Sequence, residues 1–246
     1  MSKVVAIIPA RWASTRFPGK PLHGIAGKPL IQHVWERCIE AESFDRVIVA
    51  TDDMRIAEAV FNFGAQVSMT SAHHPSGTDR IAEVARRLKK VSVIFNIQGD
   101  EPMIHPVLLR RLVKKMLASD KIEIVTAAVP ISDQEAQSEH NVKVVIDSLG
   151  DALYFSRSRI PFPRGSSRTP TYKHLGIYGY RHRALLAFVR TPPSPLEKSE
   201  QLEQLRALEN GMKIHVILSE TSSIGVDTPE DAKEAERLIL QGLRTR

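Results

Sequence analysis

Short apolar runs separated by stretches of helical periodicity constrain this chain most. Val4 to Ile8, Arg46 to Thr51 (RVIVAT), Val91 to Ile97 (VSVIFNI) and Ile124 to Val129 are too apolar to alternate between a wet and a dry face. They read as strands buried on both sides. Between them, Pro29 to Ala41, Met54 to Phe63, Thr78 to Leu88 and Pro106 to Leu117 carry apolar residues at helical spacing, with Gly64 ending the second. Ala65 to Met69 adds a short strand. This alternation predicts right-handed crossovers and a mostly parallel sheet covered on both faces, an α/β fold.

After Pro130 the pattern changes. Val142 to Ile146 and Ala152 to Ser156 flank a turn-rich Asp147 to Asp151, which predicts a hairpin. Ile160 to Pro170 reads as loop and Lys173 to Arg181 as a strand. A β-rich insertion over about 142–181 therefore interrupts a single domain spanning 1–246, as a small lobe at the ligand site or a pairing surface for a second subunit. Ser194-Pro195-Leu196-Glu197 is a capping box that starts a helix closed by Gly211. Ile214 to Leu218 reads as a strand, and Thr228 caps a last helix running to about Gln241.

The loop after the first strand concentrates charge. Arg11, Arg16 and Lys20 lie within ten residues, among Ser14, Thr15 and Gly19. Loops past the carboxyl ends of strands are where open α/β sheets bind ligands. Two readings stand: a solvated basic loop, or a site for a polyanion such as a nucleoside triphosphate, gripped by guanidinium forks and an ammonium. Gly27-Lys28-Pro29 repeats the Gly19-Lys20-Pro21 tripeptide, but its proline suits a helix start, so Lys20 is the better ligand residue. Neither G-x-x-x-x-G-K-[ST] nor G-x-G-x-x-G occurs.

Gln98-Gly99-Asp100-Glu101-Pro102 follows the most central strand. Asp100 there can hold a divalent ion against phosphates, and Mg²⁺ suits a site of one or two carboxylates completed by phosphate and water. The alternative is a turn that uses Asp100 to satisfy backbone amides. Asp227, just before the Thr228 cap, is either a second metal carboxylate or a favourable charge at a helix start. Asp52-Asp53 reads as capping. Pro75 to Arg80 could recognise a base or ribose, although Thr78 also makes an ordinary helix cap. His73 and His74 read as loop histidines, Leu202 to Arg206 as a solvated helix face, and His174 as structural. G-x-S-x-G and H-E-x-x-H are both missing, which argues against α/β-hydrolase and zinc-protease chemistry.

A formal charge of +6 favours anionic partners, while 6% aromatic content disfavours a nucleic-acid surface. Cys38, the single cysteine, rules out an intramolecular disulfide and reads as a small buried group. No run approaches the roughly 20 apolar residues of a membrane span. A cytoplasmic, soluble protein is expected.

In order along the chain, IPARWASTRFPGKPL, HVWERC, VATDD, SGTDR, NIQGDEP, VKVVID, ALYFSRSRIP, HLGIYGY, PSPLEKSEQLEQLR and GVDTPED closely resemble the 3-deoxy-manno-octulosonate cytidylyltransferase family. The resemblance implies a Rossmann-like fold of the nucleotide-diphospho-sugar transferase type, a homodimer, and transfer of CMP from CTP to Kdo with Mg²⁺, a step towards lipopolysaccharide. It implies that Arg11, Arg16 and Lys20 hold the triphosphate, that Asp100 and Asp227 hold metal, and that Ser76, Gly77 and Arg80 lie by the cytidine. Gln98, Arg157, His174, Glu203 and Gln204 would line the sugar pocket, Gln98 also touching the nucleotide. Trp12 and Asp79 depart from the tyrosine and glutamate common in relatives, and the Pro163 to Thr171 loop is short. The rival readings are a cytidylyltransferase for a sialic acid or amino-Kdo, a catalytically silent nucleotide-binding protein, and a basic nucleic-acid-binding protein.

Overall fold

A computed structural model describes residues 3–13, 17–164 and 169–242. In chain order, β1 (Lys3–Ala10) leads through the 3₁₀ turn Lys20–Leu22 to a small hairpin, β2 (Gly24–Ile25) and β3 (Lys28–Pro29). There follow α1 (Leu30–Glu40), β4 (Arg46–Thr51), α2 (Met54–Asn62), β5 (Gln66–Met69), α3 (Gly77–Arg87), β6 (Val91–Asn96), α4 (Pro106–Ala118) and β7 (Ile124–Ile131). The short α5 (Asp133–Ala136) precedes β8 (Lys143–Ile146) and β9 (Ala152–Ser156), and β10 (Thr171–Arg181) follows. The chain then runs through α6 (His182–Phe188), α7 (Pro195–Glu200), α8 (Leu205–Glu209), β11 (Ile214–Leu218) and α9 (Pro229–Leu240).

Among the described residues the strands form one nine-stranded sheet with the path β11-β7-β10-β6-β1-β4-β5, plus the β2-β3 pair. β1 pairs in parallel with β4 and β6, β4 with β5, and β7 with β11. The apolar runs explain this: Val5, Ile7, Val49, Ile94, Phe95 and Val125 are fully buried because helices cover both faces. β10 is the exception to the parallel order, lying antiparallel between β6 and β7. At its centre Gly179 leaves room that a Cβ would lose, since that atom would stand 2.6 Å from the Phe95 ring and 2.8 Å from Val125. The hairpin β8-β9 joins this strand through Tyr172 and Val144.

Helix starts follow the sequence signals with two shifts, the first at Pro29, which lies on β3 and precedes α1 instead of opening it. Asp53 caps α2, and Ser194 and Thr228 form capping boxes. α3 is capped by Ser76 instead of Thr78, whose hydroxyl turns to Glu203. The single helix expected from Ser194 to Gly211 is instead two. Gln201 adopts φ 55°, and α8 starts four residues later. Leu202 closes the first helix by donating to the Glu197 carbonyl, and the Arg157 guanidinium takes the carbonyls of Glu200 at 2.9 Å and Gln201 at 3.5 Å, which a continuous helix would need for itself. Nor is 202–206 a solvated face, because Leu202, Leu205 and Arg206 are buried.

Candidate active site

The carboxyl ends of β1, β4 and β6 open on one side of the sheet, and the charged loops meet there. Arg11 is exposed immediately beyond β1; Arg16 lies outside the described residues. The basic loop closes when Gly19 donates its N–H to the Trp12 carbonyl at 3.1 Å. Gly19 takes φ 71°, a conformation that L side chains rarely adopt, and a Cβ there would press on the indole at 3.0 Å. Trp12 itself stacks under Arg55, 3.4 Å from its centroid. With the turn fixed this way, Lys20 reaches across to β6, whereas Lys28 pairs with Glu36 at 2.8 Å.

Lys20 Nζ stands 2.7 Å from Asp100 and 3.2 Å from Asp227, which brings together carboxylates 127 positions apart. Gly99 allows the Asp100 loop to press on β1, because a Cβ there would lie 2.9 Å from the Pro9 carbonyl. Asp227 arrives by a different route. From the edge strand β11 the chain crosses towards the end of β6, with Ser219 donating to the Ala128 carbonyl, Ser223 to the Glu101 carboxylate, and the Val226 N–H to the Asp100 carbonyl at 2.8 Å. Burial raises the pKa of Glu101, with the neighbouring Asp100 charge acting in the same direction.

Two carboxylates converging on one cation have the donor chemistry of a hard divalent ion. Among the described residues no cluster of three or more His, Cys, Asp or Glu could form a metal cage by itself. That suits Mg²⁺, which completes its shell with water and substrate phosphates.

Next to this charged end lies the start of α3. Gly77 packs against Pro9, a Cβ there lying 3.3 Å from its ring. Ser76 caps the helix and also donates to Asp79 at 2.8 Å. Arg80 is buried, 2.9 Å from Asp52 and donating to Thr70 at 2.6 Å, so it ties the ends of β4 and β5 to α3.

The third cluster is drier. Thr78 donates to Glu203 at 2.5 Å, and Arg206, held in a fork by Glu197, stands 3.7 Å from Glu203. Desolvation raises the pKa of Glu203. Gln98 follows the same β6 end and reaches Asn96 at 3.5 Å, while Gln204 sits half-buried at the start of α8. On β10, His174 Nε2 meets the Thr126 hydroxyl at 2.9 Å, and desolvation pushes its pKa down to about 3, so the ring is neutral at pH 7. Tyr178 packs on the same imidazole, its buried hydroxyl without a hydrogen-bond partner among the described residues. A buried, unused hydroxyl is a natural place for a ligand to bind. The sequence reading missed Tyr178 as a site residue, although HLGIYGY placed it on the same side of the strand as His174. Arg157 lies at the end of β9, its guanidinium on the carbonyls of Glu139, Glu200 and Gln201.

An α/β sheet whose carboxyl-end loops gather lysine and two carboxylates defines a nucleotide-handling class of protein, and the Cytidylyltransferase family model matches residues 5–214. A solved CMP:2-keto-3-deoxy-manno-octonic acid synthetase in complex with CTP superposes with a TM-score of 0.95 at 42% identity, over 98% of this chain and all of that one. A cytidylyltransferase from Leptospira borgpetersenii, at 20% identity and TM-score 0.68, shares the fold. The 3-deoxy-manno-octulosonate cytidylyltransferase of Geobacter metallireducens is 50% identical over 96% of this chain and 98% of its own length, and that of Myxococcus xanthus 47% over 96% of each. The chain belongs to the 3-deoxy-manno-octulosonate cytidylyltransferase family.

Proposed function

We propose that the chain transfers CMP from CTP to Kdo, releasing pyrophosphate and activating the sugar for lipopolysaccharide assembly. The observation that carries this reading is the convergence of Lys20, Asp100 and Asp227 past the carboxyl ends of the parallel strands. The anomeric hydroxyl of the sugar attacks the α-phosphorus in line, an O–P bond forming as the bond to pyrophosphate breaks and the hydroxyl proton passing to solvent. Arg11, Arg16 and Lys20 hold the triphosphate, and Lys20 follows the charge that builds on the departing oxygens. Asp100 and Asp227 are the residues to hold Mg²⁺, which supplies charge neutralisation at the phosphates. Ser76, Gly77 and Arg80 serve the cytidine side, with Gln98 between nucleotide and sugar. His174, Tyr178, Glu203 and Gln204 offer neutral or shielded groups to sugar hydroxyls, and Arg157 offers a fork to the sugar carboxylate. Most of the acceleration comes from alignment.

The homodimer expected for the family is supported by exposed apolar side chains at the β8-β9 hairpin and beyond it, where Leu149, Leu153 and Phe162 are 72%, 60% and 82% exposed. Among the described residues no helix is long and apolar enough to cross a membrane.

Pyrophosphate release with CTP and Mg²⁺, measured with Kdo, amino-Kdo and a sialic acid in parallel, tests the reading. Release that requires both CTP and Kdo is the expected result. Release with another sugar alone moves the pocket assignment, and no release with any sugar turns the reading to a silent nucleotide-binding protein.

A further inference from the structure

Lys143 is a buried amine that the reaction scheme leaves without a task. It lies on β8 with no exposed surface, and among the described residues no carboxylate stands within 4 Å of its ammonium. Burial lowers its pKa, Glu200 favouring the charge from a distance and Arg157 opposing it. Keeping an ammonium in such a place is costly, and an apolar side chain would satisfy packing more simply. The amine instead donates to two main-chain carbonyls, that of Ser138 at 2.8 Å and that of Arg157.

Arg157 is thereby held at three points. Its N–H donates to the Glu200 carboxylate at 2.9 Å, its carbonyl accepts from Lys143, and its guanidinium reaches the carbonyls of Glu139 at 3.2 Å, Glu200 and Gln201. Two of these anchors share one turn, since Lys143 fixes Ser138 and Arg157 reaches the adjacent Glu139. When the guanidinium exchanges carbonyls for a carboxylate, the hold on its head group changes. The hold of Lys143 on its main chain does not.

We propose that Lys143 is a positioning residue for the anionic sugar, fixing the backbone from which Arg157 meets the sugar carboxylate. This rests on the reading of Arg157 given above.

Steady-state pyrophosphate release separates the roles. Lys143→Met removes both donors, and is expected to raise KM for Kdo about tenfold while KM for CTP and kcat stay within about twofold, the pattern of a displaced binding group. Lys143→Gln keeps an amide that can still donate, and its KM for Kdo is expected to rise only about threefold. An unchanged KM for Kdo in Lys143→Met, or an equal loss in KM for CTP and in kcat, overturns the proposal. Should the Met variant fail to fold, an unchanged KM for Kdo in the Gln variant overturns it instead.

Arg157→Gln is the companion. If it leaves KM for Kdo untouched, the assignment of Arg157 itself fails. If it raises KM while Lys143→Met does not, only the role of Lys143 fails. Adding Lys143→Met to Arg157→Gln is expected to raise KM no further, because one residue acts through the other.

Discussion

The two ends of the site solve different electrostatic problems. At the end proposed to hold the phosphates, Lys20, Asp100 and Asp227 are side-chain ions facing one another, their side chains 14%, 32% and 50% exposed. At the end proposed to take the sugar the polar groups have lost most of their water: His174 is neutral, Glu203 has its pKa raised, and Tyr178 holds a buried hydroxyl. Strong, screened charges suit a ligand that brings several negative charges and leaves with some of them. Desolvated dipoles suit hydroxyls, whose recognition depends on leaving no partner unpaired. On the proposed reading, the same side of the sheet offers charge to the phosphates and desolvated dipoles to the acceptor.

The largest effect should come from breaking the charged end. Asp100→Asn is expected to lower kcat for pyrophosphate release by roughly a thousandfold, the scale of a lost charge clamp, while the melting temperature stays close to wild type. Near-normal turnover would remove Asp100 from the metal. At the other end, Glu203→Gln is expected to raise KM for the sugar about tenfold and to leave KM for CTP nearly unchanged, as removal of a charged hydrogen-bond acceptor does. Equal changes in both constants would erase the distinction between the two ends.

Stability sharpens it further. Thr126 is fully buried beside the irregular stretch of β10, donating to the Ile177 carbonyl at 2.7 Å and meeting His174. Thr126→Val should cost about 1–3 kcal/mol in denaturant titrations, because it strands buried acceptors.

His174 gives a signed pH effect. Its folded pKa of about 3 lies below the ordinary 6.5, so the unfolded chain takes up a proton that the folded ring refuses. The stability tied to the neutral ring is complete above pH 6.5 and declines as pH falls towards 3, by at most about 1.4 kcal/mol per pH unit. In urea unfolding at pH 7.5 and 5.5, His174→Gln should lose less stability than the wild type over that interval. The smallest effect expected is ionic. Raising salt from about 0.05 to 0.3 M should increase KM for CTP more than KM for the sugar, since exposed charges are screened and desolvated ones are not.

The sequence foretells the two ends unequally. The alternation of strands and helices was legible because double-sided burial and capping residues leave local marks, in RVIVAT and VSVIFNI or in Ser194 and Thr228. The position of β10 was not, since periodicity reports which residues are buried and says nothing of which strand lies beside which. Lys20 and Asp100 could be read from loops at strand ends. Asp227 was ambiguous, because its partner is 127 residues away; the fold brings it to Lys20 beside Asp100, a meeting that spacing could not reveal. The break at Gln201 has no glycine or proline to mark it, and the carbonyls it frees are taken by Arg157, more than forty residues earlier.

The crossing segment 219–227 has a consequence for how the acidic pair can be taken apart. Lys20 and Asp100 sit on loops that leave β1 and β6 directly, whereas Asp227 reaches them only through a run of chain pinned at Ser219, Ser223 and Val226. A single proteolytic cut between Ser219 and Val226 would free the tether that holds Asp227 against Asp100 while leaving the sheet strands intact.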